Sequence, residues 1–170
     1  MSQIQLDNCI DVVVDTNTLV DAIFHEDTEC QDLFQYKHDG EIRFCMNVRT
    51  FQEAFRIFSR TLEELDRRAR KERIRISKED YNNLFFKLSN ALWEIKKVDG
   101  KTRTDFCRKD PDDNKFIDCC IDGKVKYLVT SDKHLLELKE HEEIKEHKIK
   151  IMNPHEFSLE LLEIKFSRKL

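Results

Sequence analysis

Apolar residues fall along this chain in short bursts of two kinds. Val12-Val13-Val14, Ile42–Met46 (IRFCM), Tyr127-Leu128-Val129 and the IKIM run at 149–152 are compact and mostly β-branched or aromatic, and each predicts a buried strand. Between them the spacing changes to threes and fours. Residues 19–24 predict a helix beginning after Asn17 or Thr18, and a second helix starts at Thr28 and ends before Gly40. From Thr50, the positions Phe51, Ala54, Phe55, Phe58, Leu62 and Leu65 mark one apolar face of a long helix. Its tail, RRARKERIR at 67–75, is strongly basic. Ser77 and Asp80 have the spacing of a capping box, opening a helix that runs through Leu84, Leu88 and Ala91 to Ile95. Shorter helices are expected over 113–121, with Gly123 as the left-handed residue that ends it, and over 133–138. Asn153-Pro154 supplies a cap and a first-turn proline for the last helix. Trp93 and the phenylalanines fit helical core faces, which leaves them no role in stacking on bases.

Strands alternating with helices imply an α/β fold, a mainly parallel central sheet with helices on both faces. Three glycines and two prolines leave room for few loops, and the 170 residues are expected to form a single domain over 1–170, with a helical basic segment at about 60–96. In such sheets ligands bind beyond the carboxyl ends of the strands. Those ends are therefore where chemistry is sought.

Charge narrows the possibilities. Lysine and arginine number 30 against 34 acids, a net charge of -4, so a simple basic nucleic-acid binder is excluded. Contact with nucleic acid has to use a local basic patch, or cations that invert an acidic site. No apolar run is long enough to span a bilayer, and MSQIQLDNCID lacks the regions of a signal peptide. The cysteines at 9, 30, 45, 107, 119 and 120 form no CxxC pair and sit in apolar stretches, which fits buried thiols in a reducing cytoplasm.

Two apolar strands end in aspartate: VVV runs into Asp15, and YLV runs through Thr130-Ser131 into Asp132. One such aspartate is explained by capping alone. Two from parallel strands emerge at the same sheet edge. Glu53 falls in the first turn of the helix after IRFCM, near the same edge. In DPDDN at 110–114, Asp113 shares a face with Ile117 and Cys120 and points inward, Asp112 points outward, and Asp110 sits in the lead-in loop. Carboxylates gathered without counter-cations raise one another's pKa, and hard divalent cations relieve this. A calcium-loop reading of Asp110, Asp112 and Asn114 fails, because Lys115 stands where glycine is needed and Ile121 where glutamate is needed.

The sequence resembles the PIN-domain nucleases, in the branch of toxin components of toxin–antitoxin pairs. The resemblance is carried by VVVDTNTLVDAI, by Glu53, by DPDDNKFIDCCIDGKVKYLVTSDKHLL and by IMNPHEF, over roughly residues 11–157. It implies a three-layer sandwich and a metal-dependent endoribonuclease, with Asp15, Glu53, Asp113 and Asp132 as catalytic and metal-binding acids. Mg²⁺ or Mn²⁺, as one or two ions, would be the cofactor. Asn17 and the hydroxyls of Thr130 or Ser131 would orient ligands or water, with Asp110 at the rim. RNA is the implied substrate, an antitoxin and a second copy of the chain the implied partners. Cys120 replaces the alanine usual in the family, and segment 60–96 is long and basic for its smaller members.

Several alternatives stay open beside it. The basic run Arg67, Arg68, Arg70, Lys71, Arg73, Arg75 is either a solvated, ion-paired helix end or an RNA-contacting patch. His134 follows Asp132 but is read as rim packing, since no spacing gives it a catalytic role. An idle PIN-like scaffold for binding RNA or protein, and a receiver- or phosphatase-like domain, remain as other functions. The phosphatase version wants an aspartate at the position held by Asn17.

Overall fold

The computed structural model describes residues 9–25 and 27–168. Most of the N-terminal stretch weighed above as a possible leader lies outside them. Five parallel strands form the sheet: β1 (Ile10–Val14), β2 (Ile42–Met46), β3 (Lys96–Lys97), β4 (Tyr127–Val129) and β5 (Lys150–Met152), in the order β3-β2-β1-β4-β5. The helices are α1 (Thr16–Phe24), α2 (Thr28–His38), α3 (Val48–Glu72), α4 (Lys78–Leu92), α5 (Asn114–Gly123), α6 (Lys133–Leu136), α7 (Glu142–Glu146) and α8 (Pro154–Ser167). A 3₁₀ turn, Pro111–Asp113, leads into α5.

The sheet divides the core in two through the two-residue period of its strands. Val12 and Val14 point to one side, with Phe44, Leu19, Phe58 and Phe157 from β2, α1, α3 and α8. Val13 and Leu128 point to the other, against Phe116, Ile117, Cys120, Leu135 and Ile144 of α5, α6 and α7. Sheet and two helical layers make the three-layer α/β sandwich that the strand–helix alternation predicts. The five cysteines from Cys30 onward are buried and unpaired, and Cys9 is half-buried.

Strand order reverses around β1, since β2 lies on one side of it and β4 on the other. Val14 pairs with Val129, and Val129 with Met152, so these strands end level. The Asp15 amide donates to the Val129 carbonyl at 2.9 Å, and the Thr130 amide to that of Met152 at 2.9 Å. The residues that follow β1 and β4 therefore leave the sheet side by side, at the reversal point where open α/β sheets place their ligands.

A second device holds this edge. Asn114, Asp118 and Asp122 lie one turn apart on α5, and each fastens part of the loop at 98–110. Asn114 Oδ1 accepts from the Cys107 amide at 2.8 Å. Asp118 Oδ1 accepts from the amide and the hydroxyl of Thr104, both at 2.8 Å, while its Oδ2 accepts from Arg49 at 2.6 Å. Asp122 takes the Lys101 amide at 2.8 Å and the Thr102 hydroxyl at 2.6 Å. Because Arg49 opens α3, the Asp118 pair also ties α3 to α5.

Several sequence expectations need correction. The first helix begins at Thr16 with Asp15 as its cap, and α3 begins at Val48 with Asn47 and Thr50 forming a capping box. The fourth helix stops at Leu92, and Lys96–Lys97 pair with β2 as a strand that two lysines do not announce. Gly123 is the last residue of α5, and Lys124 takes the left-handed conformation at φ 52°. Gly123 has another constraint: a Cβ there would meet Val98 Cγ2 at 2.9 Å. The aromatic residues are not all core. Ala54 and Phe58 are buried, whereas Phe55 is 62% exposed, Phe85 72%, Phe86 66% and Trp93 66%.

Candidate metal centre

Asp15 is 2% exposed, and it is cap and site residue at once. Its Oδ1 accepts from the Asn17 amide at 3.3 Å, which caps α1. Its Oδ2 accepts from the Thr130 hydroxyl at 2.9 Å. Thr130 Oγ1 in turn accepts from the Asp132 amide at 2.9 Å, so one buried hydroxyl ties the ends of β1 and β4 together. Asp132 caps α6, its Oδ1 accepting from the His134 amide at 2.6 Å. Each strand-end aspartate therefore spends one oxygen on a helix start.

Asp113 closes the 3₁₀ turn and precedes α5, and its side chain makes no capping bond there. Burial pushes its pKa up to about 7, helped by the charges of Asp15, Asp110 and Asp132. Asp15 is pushed up to about 6, chiefly by burial, against the Thr130 and Asn17 hydrogen bonds and with a contribution from Glu53 and Asp132. Asp15 feels Glu53 and Asp132, and Asp113 feels Asp15 and Asp132, so the four acids are linked through Asp15. They form one electrostatic cluster.

Two side chains that sequence reasoning passed over join it. Lys115, only 9% exposed, forms an ion pair with Glu53 and donates to the Asp112 carbonyl at 2.8 Å. It is a cation inside an acidic site, and its charge works to lower the Asp113 pKa. His134, set aside above as rim packing, comes close enough to Asp110 and Asp113 for one atom of each to lie within 4.8 Å of the others. Thr18 is a third omission: its Oγ1 accepts from the Ser131 amide at 3.0 Å and supports the turn. Asn17 is exposed and enters through its backbone, while Ser131 is exposed and meets Thr18.

The basic segment stands apart. Glu53 and Arg67 are fourteen positions apart along α3, about 21 Å at 1.5 Å per residue. Arg67 and Arg68 pair with Glu64, and Arg70 with Asp66. Among the described residues no ion pair involves Lys71 or Arg73.

The donor set fits a hard divalent cation. It is carboxylate oxygen almost throughout, and Asp15 and Asp113, raised chiefly by burial and further by neighbouring carboxylates, are acids that a bound cation would hold ionised. A parallel α/β sandwich whose central strands end beside a carboxylate cluster narrows the chain to α/β domains with an acidic strand-end site. The family model for the PIN domain matches residues 11–134, and the chain belongs to the PIN-domain family. Among solved structures, a chain from the crystal structure of VapBC2 from Rickettsia felis bound to a DNA fragment from their promoter is similar in fold. Its TM-score is 0.51 at 14% identity, over 85% of this chain and 98% of that one. A comparison with curated proteins gives no significant match. Among the described residues, no helix is long and apolar enough to cross a membrane.

Proposed function

We propose that the protein is a divalent-metal-dependent endoribonuclease, the toxin member of a toxin–antitoxin pair. The observation that carries this reading is the convergence of Asp15, Asp113 and Asp132, with Glu53, at the strand-end crevice, where burial and mutual repulsion hold two of them protonated well above the usual carboxylate range. Asp15, Asp113 and Asp132 would hold Mg²⁺ or Mn²⁺, with Glu53 beside them. Such an ion, when bound, polarises the phosphoryl group and lowers the pKa of water. Thr130 fixes which oxygen of Asp15 faces the site, since the other caps α1. Lys115 supplies a fixed positive charge that draws the phosphodiester toward Glu53. Lys71 and Arg73 would extend RNA contact along α3.

For the partner, the exposed Phe86 borders a groove of about 270 Å³ with Ala22, Ile23, Phe34 and Asn90, between α1, α2 and α4. We assign it to an apolar segment of an antitoxin, a reading supported by the VapBC2 likeness. A dimer of the chain through the same face is the alternative that size measurement would reveal. No receiver- or phosphatase-like chemistry is carried forward, because the chain belongs to the PIN-domain family and Asn17, not aspartate, stands two residues after Asp15.

The test is cleavage of RNA with one deoxynucleotide at the mapped site. Attack by water needs no 2′-hydroxyl, so cleavage proceeds, stops on chelation and leaves 5′-phosphate ends. Asp113→Asn abolishes it. Products ending in cyclic phosphate, or activity that survives chelation, would overturn the assignment.

A further inference from the structure

An imidazole stands among the carboxylates, and the family resemblance gives it no role. Asp110 from the loop, Asp113 from the 3₁₀ turn and His134 from α6 each offer one ligand atom, all within 4.8 Å of one another. A separate observation concerns the ring itself. His134 Nδ1 is shut off from solvent and has no hydrogen-bond partner, and Asp132 Oδ1, at 3.7 Å, is beyond hydrogen-bond range. A buried ring nitrogen without a partner is costly, and native structures keep such atoms where something else satisfies them. That nitrogen lies toward Asp132, the quartet member beside the three-residue group, on a ring whose side chain is 28% exposed.

We infer that Asp110, Asp113 and His134 form a cation position that shares Asp113 with the acidic quartet and takes an imidazole-accepting transition ion, with Mn²⁺ as the probe, in preference to Mg²⁺. Magnesium demands oxygen ligands in near-ideal octahedra and keeps its waters, whereas first-row transition ions accept imidazole nitrogen. Asp110 caps the 3₁₀ turn that Asp113 closes, and His134 comes from α6; the hydrogen bonds that Asn114 and Asp118 accept from Cys107 and Thr104 hold the loop leading to Asp110 on α5. This inference rests on the metal-dependent reading above and adds to it a choice of ion.

The test strips the full-length protein of metal and titrates it calorimetrically with Mn²⁺ and with Mg²⁺. Pulsed EPR of bound Mn²⁺ is recorded with natural-abundance and ¹⁵N-histidine protein. The wild type shows nitrogen coupling that changes with the label. His134→Gln loses that coupling and roughly tenfold or more in Mn²⁺ affinity, at least the loss that removing even an outer partner of a metal ligand causes. Its Mg²⁺ affinity is unchanged. Asp110→Asn weakens Mn²⁺ binding while the residual bound ion keeps the nitrogen coupling. Mn²⁺ bound without nitrogen coupling, or the same Mn²⁺-to-Mg²⁺ ratio in wild type and His134→Gln, would overturn the inference and leave the nuclease reading standing. A wild type that binds neither ion would overturn both.

Discussion

Asp113 holds the cap position at the start of α5 and Asp118 stands five residues on, in the middle of that helix, and their surroundings are opposite. Asp118 is fully buried, yet its oxygens accept from Arg49 and twice from Thr104. Asp122, a turn further on, lies below the usual carboxylate range; burial opposes this, but the bonds from Thr102 and Lys101 prevail. Asp113 is only half-buried, but no capping bond offsets that burial and other carboxylates stand near it, so its pKa rises to about 7. The fold satisfies one acid and leaves the other in want of a cation. A carboxylate that completes a structure and one that awaits a ligand are distinguished by their donors, not by their burial.

The largest effect expected from this contrast is on folding. Asp118→Ala leaves Arg49 without its buried partner and the Thr104 amide unsatisfied, and should cost about 3–5 kcal/mol in urea unfolding. Asp113→Asn, in metal-free buffer, should leave stability equal or raise it. Equal losses in the two variants would break the comparison.

The next effect is on pH dependence. Asp15 and Asp113 ionise in the folded state at about 6 and about 7, against 3.8 when unfolded, so the folded protein binds more protons across that interval. Their stabilising contribution is complete below about pH 4 and is lost as pH rises through 6 and 7. Chemical unfolding of the metal-free protein at a series of pH values should therefore show Asp113→Asn gaining on the wild type between pH 4 and 7.5. For the buried Asp15 the linked change is of order 1–3 kcal/mol. A constant difference between the two proteins would remove the electrostatic account of the cluster.

The smallest effect lies on α3. Arg67, Arg68 and Arg70 resemble Asp118's partner in being paired, but on an exposed surface. Replacing them with glutamine should leave the melting temperature unchanged and alter RNA binding little. Replacing Lys71 and Arg73 should flatten the salt dependence of binding, by about 0.7 in slope for each lost phosphate contact. An unaltered slope would return the whole segment to a solvated helix end.

Sequence reasoning reaches different depths in different parts of this molecule. Asp15 and Asp132 were legible because a strand end and its cap are local, and parallel strands place both at one edge. Lys115 was not, because its direction depends on how closely α3 approaches α5, which the Arg49–Asp118 pair decides. His134 was missed for a related reason: loop 98–110 brings Asp110 to it, and that path is set by side chains of α5. The spacing of Phe85 and Phe86 marks neither as surface, because periodicity cannot say what packs against a helix. The two-residue β3 carries no apolar signal and forms through backbone pairing with β2.

The dual bonding of Asp15 has a consequence for genetics. One G-to-A transition turns an aspartate codon into an asparagine codon, and asparagine caps a helix about as well as aspartate. The amide oxygen can still take the Asn17 amide or the Thr130 hydroxyl, while the charge that would bind a cation is gone. Silencing of this site is therefore one base away and does not require losing the fold. Among spontaneous inactive alleles, Asp15→Asn should recur as a full-length, normally accumulating protein, whereas alleles at Asp118 should vanish from the soluble fraction.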